Sequence, residues 1–337
     1  MALLIHAPNV HVGGGLRLLR DLLAALPEDC RFLQLDERVR GRVGIPAHIT
    51  VSWVAPSILA RLAAEGRLRA EVEPGDTVLC FHGMPPLTRL PGTIVVFVQN
   101  RILLGRGSLA GFSAFVRFRL TVERLWCRWF RGNVDRYVVQ TPSMARDLQG
   151  WHGGQVAIKV APFIGDISKP SATAKTGPDY IYIASAEPHK NHVRLIDAWV
   201  LLAQQGLFPS LLLTVDESKT QLIEQIESAR TEYKANIINC GSLSHDEVLQ
   251  LYASAGALVY PSLSESFGLP LVEAQAFDLP IIASELDYVR DVAEPVQSFD
   301  PCSPVSIARA VRRHMAVAGQ PLVIHTAAAF FREVRTH

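Results

Sequence analysis

A chain of 337 residues is too long for one typical hydrophobic core and predicts two domains of roughly 150 residues each. Its 33 basic and 32 acidic residues give a formal net charge of +1, which argues against nucleic acid as a partner and makes any cationic surface a local feature. Five cysteines without a C-x-x-C or Cys/His cluster argue against a disulfide framework and a zinc site, so we expect a reducing compartment.

The N-terminal sequence MALLIHAPNV has neither a basic leader nor an apolar stretch of signal-peptide length. The chain also lacks an uninterrupted apolar run of roughly 18 residues, the length that a membrane-spanning helix needs. We therefore expect a cytoplasmic protein, with peripheral contact to the inner face of the membrane as an open alternative.

Short apolar runs alternate with helix-length segments along the chain, which is the pattern of parallel sheets covered by helices, and we expect an α/β fold. Residues 1–167 are predicted to form one Rossmann-like domain. Its predicted strands are Leu3–Ile5, Ile49–Trp53, Thr77–Phe81, Thr93–Val98 and Arg136–Val139, and its predicted helices lie near Leu16–Leu26, Ile58–Ala64 and Phe115–Phe130.

Three glycines, Gly13, Gly14 and Gly15, stand between the first predicted strand and its helix. Glycines let the backbone turn tightly and offer bare N–H groups to an anion at a helix N-terminus. The sequence is not GxGxxG, and no acidic ribose partner is obvious about 20 residues further on. We expect an anion-binding or substrate-approach loop, with a turn that serves only helix packing as the alternative.

Two further strands of this half end in polar residues, His82 in VLCFHGMPP and Gln99-Asn100 in VVFVQNR. Open α/β sheets bind ligands at the carboxyl ends of their strands, so all three are candidate site residues. A structural histidine with a satisfied partner is the alternative for His82.

The segment FVRFRLTVERLWCRWF repeats bulky apolar residues at helical spacing, and we expect this stripe to be buried. The stripe comprises Phe115, Phe118, Val122, Leu125 and Trp129, and the arginines on other faces are Arg117, Arg119, Arg124, Arg128 and Arg131. Basic amphipathic helices also rest on anionic headgroups, so a membrane surface or a lipid-diphosphate acceptor is a candidate partner of residues 115–131.

The stretch SKPSATAKTGPD, residues 168–179, has the composition of an interdomain linker. A second α/β domain is predicted over residues 180–320, followed by a tail at 321–337 that could return to the first domain. Its predicted strands are Tyr180–Ala184, Leu211–Val215, Asn236–Ile238, Ala257–Tyr260 and Pro280–Ala283. Two such domains leave a ligand cleft between the carboxyl ends of their strands.

The first strand of the second domain runs into a polar turn, EPHKNH, which contains Lys190. A lysine at the carboxyl end of a strand can neutralise phosphate charge as a point cation, and a solvated surface lysine is the alternative. His189 and His192 could bind a metal, but no third ligand is in view.

The stretch SLSESFGLPLVEAQAF follows a predicted strand and becomes helical, with Glu265 in the loop and Glu273 in the helix. Free N–H groups at Phe267 and Gly268 would face the cleft at a positive helix end, which suits a pyrophosphate. A carboxylate just beyond can accept hydrogen bonds from both hydroxyls of a ribose. On spacing alone, two ordinary helix charges are an equal alternative.

PSLSESFGLPLVEAQAFDLPIIAS resembles the signature of the retaining glycosyltransferases of family four, which have the two-Rossmann-domain GT-B fold. EPHKNH is similar to the lysine-bearing loop of that family, and NCGSLSHDEVLQLYASAGALVYPS to its base-facing loop and the elements after it. The resemblance is strong over the C-terminal domain and looser over the N-terminal one, where VHVGGG and DRYVVQTPSMARDL resemble family segments.

The resemblance implies a role for each matching position. Glu273 would bind the ribose hydroxyls of the donor, Glu265 would hold the transferred sugar, and Lys190 would compensate the charge of the departing diphosphate. His82 is a catalytic candidate at the cleft edge. The other implied residues are Ser266, Phe267, Gly268 and Leu269 around diphosphate and sugar, Gly241, Ser242 and Leu243 near the base, Gly14 and Gly15 for the donor, and Gln99 and Asn100 for acceptor or sugar.

Three positions depart from the family pattern. Ser185 stands where an arginine is common, which removes one expected diphosphate cation and leaves Lys190, His189 or a first-domain arginine to substitute. Ser266 and Asp278 stand where glycine is frequent.

We therefore expect a retaining hexosyltransferase that moves a sugar from a nucleotide-diphosphate donor to a hydroxyl of a glycan or lipid-linked acceptor in surface polysaccharide or glycolipid biosynthesis. The chain has no Asp-x-Asp sequence, so we expect no metal requirement and no cofactor besides the nucleotide-sugar substrate. A nucleotide-sugar epimerase or isomerase and a degenerate, non-catalytic GT-B subunit are the alternatives.

Overall fold

The computed structural model describes residues 1–105, 109, 111–167, 169 and 176–317, and it contains two parallel β-sheets with helices packed against them. The expected α/β fold class is confirmed. Most of the expected linker, 168 and 170–175, lies outside the described residues, as does the tail at 321–337.

The first sheet has seven strands in the order β3-β2-β1-β4-β5-β6-β7, and all neighbouring strands are parallel. Its strands are β1 (Leu3–Ala7), β2 (Cys30–Asp36), β3 (Thr50–Val54), β4 (Thr77–Cys80), β5 (Thr93–Phe97), β6 (Arg136–Val139) and β7 (Ala157–Val160). The helices of this half are α1 (Gly13–Ala24), α2 (Ile58–Glu71), α3 (Ala114–Phe130) and α4 (Pro142–His152). The strand order reverses between β1 and β4, and such a reversal leaves a ligand crevice at the carboxyl ends of the strands.

The second sheet has six parallel strands in the order β10-β9-β8-β11-β12-β13. Its strands are β8 (Tyr180–Tyr182), β9 (Leu211–Leu213), β10 (Ile237–Asn239), β11 (Ala257–Tyr260), β12 (Ile281–Ser284) and β13 (Gln297–Phe299). Its helices are α5 (His192–Gln204), α6 (Thr220–Tyr233), α7 (His245–Ser254), α8 (Leu269–Ala276), α9 (Asp287–Arg290) and α10 (Pro304–His314). Here the order reverses between β8 and β11, the two strands that precede the Lys190 and Glu265 loops.

Three strands, β2, β7 and β13, are absent from the expectations drawn from the apolar pattern. The reason is clearest in β2, where Gln34 interrupts the apolar run yet has 0% exposure. Its side chain lies 2.6 Å from His6 Nδ1 and donates to the carbonyl of Ala64 at 3.0 Å. A polar side chain is buried at little cost when its hydrogen bonds are satisfied, and the partners lie far away in sequence.

The glycine run is part of a helix and not the loop before it. Helix α1 begins at Gly13, so the three glycines form its first turn. Gly13 has a φ of +62°, a left-handed conformation that favours glycine. The position where the sequence predicted an anion-binding loop is therefore the N-terminus of a helix, which has free N–H groups.

The apolar stripe of α3 faces solvent, so the expectation that it is buried is wrong. Phe115, Phe118 and Trp129 are among the most exposed large apolar side chains of the described residues, whereas Leu120 and Cys127 are buried. The helix packs through that other face, in a small cluster with Met84. The helical period was predicted correctly, but the period does not show which face the rest of the chain covers.

The carboxyl-end loops of the two sheets are in contact. The Ser266 hydroxyl, after β11, donates to the carbonyl of Gln99, after β5, at 2.7 Å. The Thr141 hydroxyl, after β6, donates to the carbonyl of Ser266 at 3.2 Å. These bonds bring the candidate residues of both halves to one cleft.

Candidate donor site

Glu265 and Lys190 form a partly buried ion pair at the carboxyl end of the second sheet. Lys190 Nζ lies 2.7 Å from Glu265 Oε1, and the Tyr260 hydroxyl donates to the same oxygen at 3.0 Å. Burial of Glu265 acts to raise its pKa, but the charge and hydrogen bond of Lys190 outweigh burial, so the pKa lies below its ordinary value. The two predicted residues are therefore brought together as a carboxylate and an ammonium group.

The lysine loop is held against the Glu265 loop by Asn191. This residue adopts a φ of +64° at the end of the turn Pro188–Lys190. Its buried amide donates to the carbonyls of Pro261 at 3.0 Å and Pro301 at 2.8 Å. The backbone of Lys190 is therefore fixed next to β11, the strand that precedes Glu265.

Two buried tyrosines, Tyr182 and Tyr288, hydrogen-bond to the loops that contain Lys190 and Glu265. The Tyr182 hydroxyl donates to the carbonyl of Lys190 at 2.7 Å and lies 3.1 Å from Ser262 Oγ. The Tyr288 hydroxyl donates to the carbonyl of Ser262 at 2.8 Å. Sequence reasoning missed both tyrosines, since Tyr182 in an apolar strand and Tyr288 in a helix look like ordinary core residues.

Glu273 lies in α8, and its side chain has a separate hydrogen-bond partner. It is 6% exposed, and the Tyr252 hydroxyl donates to its Oε2 at 3.1 Å. Burial raises its pKa, the Tyr252 bond opposes this, and Arg17 and Asp21 of α1 act in opposite directions. Nearby cations therefore offset little of the negative charge of Glu273, and its side chain lies near α1 of the other half.

The start of α8 approaches the start of α1. A Cβ atom built on Gly14 would lie 3.2 Å from Leu269 Cδ1, so the α8 start closely approaches the glycine turn. Gly268 precedes α8 with a φ of +82°. Two helix N-termini with free N–H groups, and the positive ends of their dipoles, therefore meet beside the ion pair, which favours an anion there. Gly268, Leu269, Gly14 and the backbone of Phe267 lie in this region, and their contact with a diphosphate stays a prediction.

Gln99 and Ser266 join the two halves at the rim. The Gln99 amide donates to the carbonyl of Phe81, and a Cβ atom on Gly15 would lie 3.3 Å from Gln99 Oε1. Ser266, where the family often has glycine, uses its hydroxyl for the bond to Gln99 described above. The side chain of Asn100 caps the turn Arg101–Leu104, because its Oδ1 accepts from the N–H of Ile102 at 3.0 Å.

Arg101 is a site residue that sequence reasoning did not single out. Its Nη1 donates to the carbonyl of Glu265 at 3.1 Å, and its Nε lies 2.6 Å from Asp147 Oδ2. It is thus a first-domain arginine in direct contact with the loop that contains Glu265. Its position directly after the predicted Gln99-Asn100 pair was the available signal.

His82 lies at the carboxyl end of the first sheet. Its Nδ1 is 3.2 Å from the carbonyl of His6, and the two rings are edge to face at 4.7 Å. Burial lowers its pKa well below the ordinary value, so the ring is neutral near pH 7. A bond to His6 satisfies one ring nitrogen, which is the structural alternative stated above, and a catalytic role stays a prediction.

The expected base-facing loop, Gly241, Ser242 and Leu243, follows β10. Gly241 has a φ of +69°, and the Ser242 hydroxyl donates to Asp216 Oδ2 at 3.1 Å. Asp216 follows β9, so this loop lies at the same edge of the sheet as the ion pair. Its contact with a base stays a prediction.

The histidines beside Lys190 have pKa values below the ordinary range. Burial and the nearby Lys190 charge lower the pKa of His189, and burial lowers that of His192 to about 4. Within the described ranges, His, Cys, Asp and Glu form no group of three that could hold a metal ion. In the same part of the chain, no helix is long and apolar enough to cross a membrane.

Residues 164–320 match the family described as "Glycosyl transferases group 1". The serotype-specific mannosyltransferase WbdA of Escherichia coli is 26% identical over 221 residues, which cover 58% of this chain and 27% of that protein. The O-antigen chain mannosyltransferase B of the same species is 30% identical over 114 residues, 33% of this chain and 30% of the relative. The chain thus matches less than a third of the length of these curated relatives.

Solved structures share the fold over nearly the whole chain. Sucrose-phosphate synthase of Thermosynechococcus elongatus superposes with a TM-score of 0.71 at 18% identity, covering 94% of this chain and 89% of that one. Anabaena Alr3699/HepE, solved in complex with UDP and glucose, superposes with a TM-score of 0.64 at 15% identity, covering 94% and 90%. The expected GT-B fold is therefore confirmed.

Proposed function

We propose that this chain, whose residues 164–320 match the model of the group 1 glycosyl transferases, moves a sugar from a nucleotide-diphosphate donor to a hydroxyl of a glycan or lipid-linked acceptor. The observation that carries the proposal is the Lys190–Glu265 pair at the strand-order reversal of the second sheet, beside two helix N-termini. The mannosyltransferase relatives favour a role in surface polysaccharide synthesis.

In this proposal the donor lies along the start of α8. Glu273 accepts hydrogen bonds from the ribose hydroxyls, and the backbone N–H groups from Ser266 to Leu269 face the diphosphate. Lys190 supplies a positive charge, and Glu265 contacts the hydroxyls of the transferred sugar. The ion pair holds both side chains in position before the donor arrives, so little ordering is needed on binding.

The proposed transfer proceeds with retention by attack of the acceptor hydroxyl on the same face from which the diphosphate leaves. The bond from the anomeric carbon to the phosphate oxygen breaks, the bond to the acceptor oxygen forms, and the acceptor proton passes to the departing phosphate. Lys190 and the N–H groups of α8 stabilise the charge that develops on that phosphate, which is where electrostatic catalysis is most effective. We propose that this chemistry needs no metal ion.

Arg101 is proposed to supply the cation that Ser185 lacks. The Ser185 side chain is bonded to Glu187 and carries no positive charge. Arg101 already contacts the backbone of Glu265 from the other half, so a small change of its rotamer would bring the guanidinium toward a diphosphate. Arginine is well suited to bidentate phosphate contacts.

The test is donor binding followed by a product assay. Thermal shift with UDP, GDP and ADP and their sugars should identify one donor class, and Glu273→Ala should remove most of that stabilisation. Glu227→Ala is a matched control, because that exposed carboxylate is paired with Arg230 near the end of α6, on the side of the sheet where β10 begins. With the identified donor, transfer should require an acceptor and continue in a chelator.

Other results would contradict the proposal. An altered sugar released without acceptor would indicate an epimerase or isomerase. No stabilisation by any nucleotide, or equal stabilisation of the Glu273→Ala variant, would indicate a subunit without a donor site. Activity that disappears in chelator and returns only with a divalent cation would contradict metal independence.

Because an acceptor in surface polysaccharide synthesis can be lipid-linked, we also propose a cytoplasmic location with peripheral contact to the inner face of the membrane. The local clustering of arginine on α3 supports this contact, and the net charge of +1 does not favour nucleic acid as a partner.

A further inference from the structure

Helix α3 presents a continuous apolar stripe to solvent. Its five members and their exposed fractions are Phe115 76%, Phe118 69%, Val122 44%, Leu125 42% and Trp129 72%. At about 100° per residue, these positions fall within an arc of about 80° and extend about 21 Å along the helix axis. Exposed apolar patches of this kind mark a surface that contacts another apolar phase.

A second exposed apolar group lies at the start of α2, the helix that follows β3. Ile58 and Leu59 are each 79% exposed and Leu62 is 47% exposed. Helices α2 and α3 both connect strands in the same direction across the first sheet, so right-handed crossovers place them on the same face.

The charge around the stripe is positive. Arg117 and Arg128 lie on one side of the arc and Arg119 on the other, and all three are exposed. The acidic residue of α3, Glu123, is partly buried and lies 3.8 Å from Arg119. Aromatic side chains between arginines suit an interface of acyl chains and anionic headgroups.

A second copy of this chain suits the surface less well. A twofold interface would bring together two copies of a stripe that has arginines on both sides. Like charges brought together in this way oppose association, whereas an anionic lipid surface attracts them.

We propose that the stripe of α3, together with Ile58, Leu59 and Leu62, is a docking surface for a bilayer that contains anionic lipid. The proposal deepens the proposed function, because it specifies where a lipid-linked acceptor would enter. Arg124 of α3 donates to the carbonyl of Ile102 at 2.8 Å, and the adjacent Arg101 contacts the Glu265 loop. Only the short turn Arg101–Leu104 would therefore separate the docked helix from the Glu265 loop.

The experiment is flotation of the full chain with vesicles, without donor or acceptor. Phosphatidylglycerol vesicles should bind the protein at low salt, and binding should weaken in phosphatidylcholine and at high salt. The double variant Phe118→Glu, Trp129→Glu should lower the partition coefficient by at least about tenfold. Arg117→Gln, Arg128→Gln should lower it by about fivefold per arginine on anionic vesicles.

The matched control is Phe208→Glu, Val296→Glu, which introduces the same charges at apolar residues that are 50% and 54% exposed elsewhere. It should float like the unchanged protein. No flotation, or equal loss in the control, would overturn the proposal, and so would a stripe variant that converts a dimer to a monomer in analytical ultracentrifugation. UDP or GDP stabilisation of the same variants is measured in parallel, so a missing donor site and a missing docking surface are distinguished.

Discussion

Glu265 and Glu273 are eight residues apart and buried in opposite electrostatic surroundings. Lys190 compensates Glu265 and keeps its pKa below the ordinary 4.5, whereas burial raises the pKa of Glu273 above it. Glu265 is therefore stable as an anion in the folded protein, while the ionised form of Glu273 costs folding free energy. Such a cost is expected where a carboxylate awaits ligand hydroxyls.

The first residue-scale prediction concerns Glu273→Gln. The amide still accepts from Tyr252 but carries no buried charge, so the free energy of unfolding at pH 7 should rise by about 0.5–2 kcal/mol. The Kd of the donor should increase about tenfold to a hundredfold, because hydrogen bonds to a charged acceptor are lost. Chemical denaturation and calorimetric titration measure the two effects, and a variant with lower stability and unchanged Kd would contradict the assignment.

The same residue predicts a pH dependence. A carboxyl group whose folded pKa is raised favours folding below its ordinary pKa, and this contribution is lost as the pH rises through the folded pKa. On acidification, the carboxylate of Glu273, which we propose binds the ribose, is therefore protonated at a higher pH than an exposed glutamate, whose pKa is 4.5. Donor affinity measured from pH 7 to pH 5 should fall in the unchanged protein and stay flat in Glu273→Gln.

The second residue-scale prediction concerns the ion pair. Lys190→Met leaves Glu265 buried without its cation and should lower the free energy of unfolding by about 3 kcal/mol. The double variant Lys190→Met, Glu265→Gln should recover part of this loss, while turnover stays low in both. Full recovery of turnover in the double variant would show that the pair has only a structural role.

At the scale of elements, the loops after β8 and β11 depend on Asn191. Its positive φ and its buried hydrogen bonds fix the Lys190 turn to the start of the Glu265 loop at Pro261 and to the segment after β13 at Pro301. The motif EPHKNH predicts a polar turn with Lys190 in it, but the partners of Asn191, the carbonyls of Pro261 and Pro301, are known only from the structure.

Substitutions of Asn191 separate the contribution of its two hydrogen bonds from that of its positive φ. Asn191→Gly keeps the backbone unstrained but leaves two carbonyls unpaired, and should cost about 2–3 kcal/mol of stability. Asn191→Ala adds left-handed strain of about 1 kcal/mol. At the exposed Lys234, where φ is +58°, the same pair of substitutions should differ by the strain alone. Equal stabilities of the two Asn191 variants would contradict the strain argument.

At the scale of the whole molecule, a few hydrogen bonds hold the two halves together. Asp291, just after α9, accepts from the N–H of Ser143 in the first turn of α4 at 2.7 Å. An anion at a helix N-terminus is favourable, and here it belongs to the other half of the chain. A second contact, Arg146 with Asp287 at 3.0 Å, joins the same two elements but is exposed.

Asp291→Ala should therefore open the cleft. We expect a larger radius of gyration in small-angle scattering without donor, and a donor Kd increased about threefold to tenfold, consistent with the loss of about 1 kcal/mol. Asp287→Ala is the matched control and should change neither quantity measurably, because exposed ion pairs contribute about 0–1 kcal/mol. An equal effect of both substitutions would show that the cap on α4 does not hold the cleft closed.

Much of this architecture follows from local sequence. Alternating apolar runs predict β1, β4, β5, β6 and β11, and SESFGLPLVEAQ predicts both glutamates at a strand-to-helix junction. The prediction succeeds because strands buried on both faces of a parallel sheet must be apolar, whatever lies further along the chain. The parts it misses are polar strands such as β2, where burial depends on distant partners.

The amino-acid sequence by itself thus determined ten of the thirteen described strands, the Lys190 loop and the places of Glu265 and Glu273, because each depends on neighbours in the chain. Only the tertiary structure decided that Lys190 offsets the charge of Glu265 while no such cation among the described residues pairs with Glu273, that Arg101 contacts the Glu265 loop, and that the stripe of α3 faces solvent. The helical period of α3 is the same whether its apolar face meets a core or water. Which of these holds depends on the packing of distant segments, and this exists only once the chain is folded.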